Sequence, residues 1–181
     1  MIYKINIKLT TAFLGSRKPD DSNVRNIARI NGRNPKLFTK RLRDLCYKYA
    51  TEELGIWDYN YATIKVDCML HVAETAPVIT HVRKFYNKEL GATQQENFEA
   101  YPVGTEMCFS LYVPSSSKIT KATILQLFRY IGQYDGISQF GINWGYGKFE
   151  ITSVDEDKNA TPSEIDEIID ASSAANAHEE K

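Results

Sequence analysis

Cysteine is scarce in this sequence of 181 residues. The three cysteines, Cys46, Cys68 and Cys108, are separated by 22 and 40 positions, and none belongs to a Cys-x-x-Cys pair. Zinc sites and disulfide frameworks usually show closer, paired spacings. We therefore expect reduced and mostly buried thiols without disulfides or a metal site, and no sequence motif indicates a cofactor.

Long hydrophobic runs are also missing. No window approaches the roughly 18–20 uncharged apolar residues of a membrane-spanning helix. The start of the chain alternates apolar residues with charged or polar ones instead of forming the apolar core of a signal peptide. We therefore expect a cytoplasmic protein without a membrane partner.

Catalytic motifs are missing as well. The sequence contains no Walker loop, no dinucleotide-binding fingerprint and no nucleophile elbow. His71 and His81 are the candidates for acid–base catalysis, because imidazole titrates near neutral pH. Neither has a partner at motif spacing, so we interpret both as surface histidines and expect a non-catalytic protein.

Glycine, by contrast, is concentrated in one place. Five of the ten glycines fall in residues 130–151, between aromatic residues: Gly132, Gly136, Gly141, Gly145 and Gly147. Glycine accepts positive φ and lets another backbone or a polyanion approach closely. We call residues 132–148 the glycine-rich loop and expect its backbone amides to face an anionic ligand.

Charge is concentrated too. Residues 154–181 hold nine acidic residues against Lys158 and Lys181, a net charge of −7, so the other 153 residues carry +6. Residues 16–48 contain ten Lys or Arg against three Asp, a net charge of +7. A polyanion responds to such local charge, because salt screens exposed charges over about 8 Å.

Hydrophobic periodicity predicts four strands and two helices. Alternation indicates strands over residues 2–14, 61–72, 107–113 and 148–154. Helical spacing indicates a helix that starts at Asn34 and Pro35 and stops at Gly55, and a second over residues 118–131. Residues 17–33 are expected to form a mobile loop with one or two helical turns, and residues 91–96 another loop, whereas residues 77–90 fit either a helix or an extended chain.

This order of elements predicts an α+β, ferredoxin-like fold. The split βαβ arrangement has an antiparallel sheet with both helices on one face. We expect residues 1–153 to form this domain, with long loop insertions. Residues 154–181 are expected to form a mostly disordered acidic tail, in which a short helix from residue 161 to 169 has little apolar surface to hold it.

The position of the glycine-rich loop, after the second helix and before the last strand, carries a resemblance. The residues are Gly136-Ile137, Gly141 and the run Trp-Gly-Tyr-Gly-Lys-Phe at 144–149. In these features the chain resembles the RAMP proteins of CRISPR effector complexes. It is also similar to small uncharacterised phage proteins whose first strand ends in Leu-Gly-Ser, as residues 14–16 do here.

The resemblance implies an RNA-binding protein. Lys and Arg release counterions from phosphates, and exposed rings stack on bases. We therefore expect RNA or another single strand as partner. The candidate binding residues are Arg17, Lys18, Arg25, Arg29, Arg33, Lys40, Arg43, Tyr134, Gly136, Gly141, Trp144, Gly145, Tyr146, Gly147 and Lys148, with Phe140 as a further candidate ring.

Two alternatives stay open at this stage. The first is a phage-encoded assembly module in the host cytoplasm, whose loop packs on other subunits or on its own copies. The second is a RAMP-like, metal-independent endoribonuclease that uses His71 or His81. The aromatic rings of the glycine-rich loop could instead have a purely structural role, as a core around a compact turn. The basic residues at 16–48 could likewise form a solvated helix face and a flexible loop without a ligand.

Overall fold

The computed structural model describes residues 1–18, 23–57, 64–114, 118–159, 161 and 163–168. Within these residues no helix is both long enough and apolar enough to cross a membrane. The elements in chain order are β1 (Ile2–Leu9), β2 (Phe13–Leu14), β3 (Val24–Arg25), β4 (Arg29–Ile30), β5 (Asn34–Pro35), α1 (Thr39–Glu52), β6 (Lys65–Val66), β7 (His71–Val72), β8 (Ile79–Asn87), β9 (Ala92–Tyr101), β10 (Glu106–Tyr112), α2 (Lys121–Tyr130) and β11 (Phe149–Asp157).

The main sheet is antiparallel, with β1 at its centre. The order is β11-β1-β10, followed by β6 and β7 at the far edge. Ile5 of β1 lies opposite Phe109 of β10 and Val154 of β11. This is the strand order of a ferredoxin-like fold, in which β6 and β7 together take the place of the second strand. The prediction of an α+β, ferredoxin-like fold is confirmed.

Both helices contribute to the same core as the inward face of this sheet. Tyr3, Ile5, Ile7 and Leu9 of β1 are buried, while Lys4 and Lys8 between them are exposed, the alternation of a sheet with one wet face. The buried stripes of the helices complete the core: Leu42, Leu45, Cys46, Tyr49 and Ala50 of α1, and Ile124, Leu127 and Phe128 of α2. Cys46 and Cys68 are buried and Cys108 is half-buried, all three as free thiols, in line with the expected reduced thiols.

A second sheet is built from the long insertion between β7 and β10. β8 and β9 form a hairpin of nine paired positions. β2 pairs with β9 antiparallel, and β3 pairs with β9 in parallel. The expectation of a loop at residues 91–96 is therefore wrong, because Gly91 lies in the turn but residues 92–96 belong to β9, and the ambiguous residues 77–90 are largely strand. Cross-strand pairing between β8 and β9 stabilises the extended chain here, although the local composition is polar.

The predicted start of the first helix is wrong. Asn34 and Pro35 are extended and pair with Arg29 and Ile30, in a hairpin whose turn holds Asn31 and Gly32 at positive φ. The amide of Leu37 then donates to the Cys68 carbonyl at 2.7 Å, so the chain stays extended up to Phe38. This tertiary pairing overrides the capping signal of an Asn-Pro dipeptide. The mobile loop with helical turns expected at 17–33 is also wrong for the described part, which holds the short strands β3 and β4 and no helical turn, and residues 19–22 lie outside the described residues.

The predicted strand at 61–72 is interrupted. Ile64, Val66, Cys68 and Leu70 are buried as the alternation predicts, but only β6 and β7 pair with β10. Between them the chain turns to β5, where Leu70 donates its amide to the Pro35 carbonyl at 2.9 Å. Residues 61–63 lie outside the described residues.

The last strand ends later than expected. β11 runs to Asp157, three residues beyond the predicted end of the last strand. Residues 163–168 are helical, and Ile168 is buried. The rest of the acidic segment lies outside the described residues, so the boundary at 153 and the disordered tail stay predictions.

Candidate nucleic-acid interface

The glycine-rich loop is fastened to the segment between β1 and β2. Gly147 donates its amide to the Ala12 carbonyl at 2.8 Å, and the amide of Lys148 donates to Thr11 Oγ1 at 2.8 Å. The Ser138 hydroxyl accepts from the Leu14 amide at 2.7 Å. The loop begins with a π-helical turn, Ile131–Asp135, that continues α2. It is therefore an ordered structure with fixed side-chain directions.

Two glycines let the two arms of the loop touch. Gly147 has a φ of 75°, and a Cβ on it would lie 2.2 Å from the Ser138 nitrogen. Gly136 has a φ of 83°, and a Cβ there would lie 2.7 Å from the carbonyl carbon of Gly147. Any larger residue at either position would collide with backbone. These glycines serve the packing of the loop against itself.

The expectation that the loop amides face an anion is wrong for seven of them. Internal carbonyls or hydroxyls accept the hydrogen bonds of seven loop amides: those of Gly136, Ile137, Trp144, Gly145, Tyr146, Gly147 and Lys148. A backbone amide already bonded at about 2.6–3.2 Å has no second proton to offer. These seven amides are therefore not open to an anionic ligand.

Two loop side chains, Phe140 and Trp144, lie between the guanidinium groups of Arg25 in β3 and Arg83 in β8. The Arg25 guanidinium lies 4.8 Å from the Phe140 ring centre, Phe140 and Trp144 are edge to face at 5.3 Å, and Arg83 lies 3.5 Å from the Trp144 ring centre. We call these four residues the arginine–aromatic ladder. Trp144 is 53% exposed, so the ladder reaches the surface.

Glu96 holds the two arginines of the ladder in place. Its carboxylate lies 3.5 Å from both Arg25 and Arg83, which come from different strands. Both distances are at the long end for a hydrogen bond, and partly exposed ion pairs of this kind contribute about 0–1 kcal/mol. A phosphate can therefore compete with Glu96 for either guanidinium.

The tyrosines of the loop occupy different places. The Tyr146 hydroxyl hydrogen-bonds to His81 Nε2 at 3.0 Å, and the two rings meet edge to face. Tyr134 is 57% exposed and stacks on Tyr130, which in turn stacks on Tyr49 of α1. Tyr134 thus stands beside the helices, outside the ladder.

The two candidate catalytic histidines lie in different sheets. His81 in β8 hydrogen-bonds to Tyr146. His71 in β7 lies 3.6 Å from Asp67 and is paired with Cys108 of the adjacent strand β10. An acid–base pair for RNA cleavage needs both groups at one scissile phosphate. The two histidines therefore do not form such a pair with each other, and the role of either one alone stays a prediction.

The structure divides the predicted cations into separate groups. Lys18 and Arg25 line one surface cleft with Asn97, and Arg17 and Arg29 line another with Glu99. Arg33 lies 81% exposed near Glu74, and Lys40 lines a cleft along α1 with Arg41, Asp44, Leu45 and Lys48. Arg43 lies 3.8 Å from Asp44, and the Lys148 side chain passes Gly145. Only Arg25 joins the ladder.

Two cations of the site were missed by sequence reasoning. Arg83 belongs to a strand that ends more than 50 residues before Trp144, and no local pattern joins the two. Arg41 lies in the basic run, and the structure places it beside Phe140 and Trp144 at the same cavity. Its guanidinium lies 3.6 Å from Asp135, whose carboxylate also accepts a hydrogen bond from the Tyr49 hydroxyl.

Arg29 has a structural role that predicts a dependence of stability on pH. Arg29 Nη1 donates to Glu99 at 2.9 Å, and the Ile27 amide donates to the same carboxylate at 2.7 Å. Burial raises the pKa of Glu99, but these hydrogen bonds outweigh burial and place its pKa below the ordinary value. The unfolded chain therefore takes up this proton at a higher pH than the folded chain does, and the stabilisation is lost as the pH falls below about 4.3.

We expect Glu99→Gln to lower the free energy of unfolding by roughly 1.5–3 kcal/mol near neutral pH, since bonds to a charged group are lost. It should also flatten the loss of stability below about pH 4.3. Urea unfolding at a series of pH values measures both effects. Glu89→Gln, in the exposed β8–β9 turn, is the matched control. An unchanged acid profile in Glu99→Gln would contradict this assignment.

Comparisons with known proteins agree with this fold. Neither a protein-family model nor the sequence of a curated protein matches the chain. The structure is similar to a chain of the Type III-B Cmr-beta complex, determined by cryo-EM bound to cognate target RNA, with a TM-score of 0.57 at 10% identity. That match covers 85% of this chain and 59% of the other, so this chain spans well under two thirds of its length.

A second similar structure is a chain of a Type IV-B CRISPR complex. The TM-score is 0.52 at 11% identity, and the match covers 90% of this chain and 94% of the other. At these identities the similarity is one of fold. The chain is thus an α+β protein with the ferredoxin-like fold of CRISPR complex subunits. In fold, this agrees with the RAMP resemblance of its sequence.

Proposed function

We propose that this chain is a non-catalytic, RAMP-like protein that binds single-stranded RNA. The arginine–aromatic ladder is the observation that carries the proposal. A ring stacks on a base with about 1–3 kcal/mol, and a guanidinium beside it neutralises the adjoining phosphate. In the ladder two rings in contact are flanked by two guanidinium groups, neighbouring groups are 3.5–5.3 Å apart, and the Trp144 ring is half exposed.

The cations around the ladder supply a path for the backbone of the strand. Arg25 contacts Phe140 and lines the cleft that holds Lys18. On the other side Arg41 lines both the cavity beside Trp144 and the cleft of Lys40 and Lys48 on α1. Shared residues therefore connect Lys18, Arg25, Phe140, Arg41 and Lys48 into one track. Only some of the basic residues at 16–48 line this track.

The similar structures support RNA over DNA as the ligand. One of them is bound to cognate target RNA, and the other is a CRISPR complex by name. We accordingly propose that the chain works beside other protein subunits. Binding through side chains of a preformed loop suits a single strand, because stacking on a ring requires bases that are free of a duplex.

A matched pair of variants tests the proposal. Arg83 and Lys84 are neighbours in β8, but Arg83 covers the Trp144 ring whereas Lys84 is exposed on the opposite face of the hairpin. We expect Arg83→Ala to weaken binding to a single-stranded RNA of about 30 nucleotides by roughly five- to tenfold, through a lost phosphate contact and a less well-held ring. Lys84→Ala removes the same charge and should change the affinity by less than about twofold.

Fluorescence anisotropy over a range of salt concentrations measures these affinities. The parent protein should bind more weakly as salt increases, since counterions are released on binding. The proposal is wrong if no RNA binds in a salt-dependent way. Equal losses in Arg83→Ala and Lys84→Ala would show that the charge of the hairpin matters and the ladder does not.

A further inference from the structure

A cavity of about 400 Å³ opens beside the exposed end of the ladder. Its lining residues are Arg41, Gln139, Phe140, Gly141, Ile142, Asn143 and Trp144. Sites for small ligands have volumes of roughly 300–1,000 Å³, so this cavity is of the size for one nucleotide and too small for a folded partner. Gln139 is the buried residue of this lining, and we call it the base of the cavity.

The base of the cavity is rigid. Gln139 is buried and its amide is fully engaged: it donates to the carbonyls of Ala28 and Lys36 at 2.8 Å and accepts from the Ala28 amide at 2.8 Å. Gly141 has a φ of 76°, and a Cβ there would lie 2.7 Å from the Tyr146 ring. The cavity therefore exists before a ligand arrives and needs little reorganisation to accept one.

Aromatic surface forms one wall of the cavity. Phe140 and Trp144 meet at an interplanar angle of 60°, so a flat group that stacks on one ring meets the edge of the other. Arg83 covers one face of Trp144 at 3.5 Å and is not part of the lining, which leaves other ring surface to the cavity. Such a wall fits the flat face of a nucleobase.

Polar groups at the opening complete the recognition. Asn143 is exposed, and within the described residues no partner engages its amide, which can donate and accept at the edge of a base. Arg41 stands at the rim, 3.6 Å from Asp135, with further N–H donors that this loose pair does not use. Burial lowers the pKa of Arg41 while Asp135 opposes this, and the guanidinium still carries its charge at neutral pH.

We propose that this cavity takes one unstacked nucleobase of the bound strand, with Asn143 at the edge of the base and Arg41 at its phosphate. The proposal rests on the single-strand binding proposed above and adds to it one position at which the protein distinguishes bases. A base in a duplex stays stacked and paired, so the cavity also selects against double strands.

Single nucleotides test the cavity separately from the strand. The chain has two tryptophans, so Trp57→Phe leaves Trp144 as the single reporter. We expect nucleoside 5′-monophosphates to change its emission saturably with a Kd of about 1 mM, and the four bases to differ in affinity. Ribose 5-phosphate, which has no base, should give no saturable change. In Asn143→Ala the differences among the four bases should shrink by about fivefold, the value of one hydrogen bond.

The controls separate the two proposals. Gln133→Ala, an exposed amide outside the cavity, should leave the ranking of the bases unchanged. If RNA of about 30 nucleotides binds but nucleotides up to about 10 mM leave Trp144 unaffected, the cavity is not a base site and the proposed function stands. Equal responses to ribose 5-phosphate and to nucleotides would overturn the cavity as well, and absence of RNA binding would remove the proposed function.

Discussion

Gly147→Ala is expected to unfold most of the protein. A Cβ at this position would lie 2.2 Å from the Ser138 nitrogen and 2.5 Å from the Ser138 Cβ, at a φ of 75°. The left-handed conformation alone costs an L-residue roughly 1–2 kcal/mol, and the overlap with backbone forces the two arms of the loop apart. We expect a total loss above about 4 kcal/mol, which is a large part of the stability of a typical domain.

Gly104→Ala is the matched control. Gly104 has a φ of 88°, but no atom lies within 4 Å of where its Cβ would be. It therefore carries the cost of the backbone conformation without the collision, and we expect a loss of roughly 1–2 kcal/mol. Urea unfolding followed by far-UV circular dichroism measures both variants. Similar losses in the two would show that Gly147 is not a packing position.

Trp144→Ala is expected to weaken RNA binding more than any other single change on the ladder. The variant removes the half-exposed ring, and with it the surface that Arg83 and Phe140 support. Stacking on one ring is worth about 1–3 kcal/mol, so the Kd for single-stranded RNA should rise by roughly 5- to 150-fold at constant salt. The slope of affinity against salt should change little, because no charge is lost.

The second tryptophan provides the comparison. Trp57 is 82% exposed and follows α1, outside the loop. Trp57→Ala removes a ring that is more exposed than that of Trp144 and should change the Kd by less than about twofold. If Trp57→Ala weakens binding as much as Trp144→Ala does, the RNA is not bound by the ladder.

Much of the fold could be predicted because its signals are local. The alternation of Ile5, Ile7 and Leu9 and the helical stripe of Ile124, Leu127 and Phe128 are complete within single segments. The exceptions are segments whose partners are far away in sequence. Asn34 and Pro35 resemble a helix start, but they are held extended by the strand at Arg29 and by the Leu70 amide, which donates to the Pro35 carbonyl.

The candidate site could be located from the sequence but its chemistry could not. The glycines mark the loop correctly, yet a glycine pattern does not distinguish amides open to a ligand from amides bonded within the loop. The Gly147 amide donates to the carbonyl of Ala12, which lies between β1 and β2, more than 100 residues away in sequence. Arg83 could not be predicted as a site residue either, because its contact with Trp144 depends on the β8–β9 hairpin, which is distant from Trp144 in sequence.

The emission of Trp144 tests the central claim most directly. In Trp57→Phe protein, titration with a single-stranded RNA of about 30 nucleotides should quench Trp144 saturably, with the same Kd as fluorescence anisotropy gives. Added salt should reverse the quenching in step with the loss of binding. RNA that binds by anisotropy while the emission of Trp144 stays unchanged would show that the strand lies elsewhere on the protein and would contradict the role of the ladder.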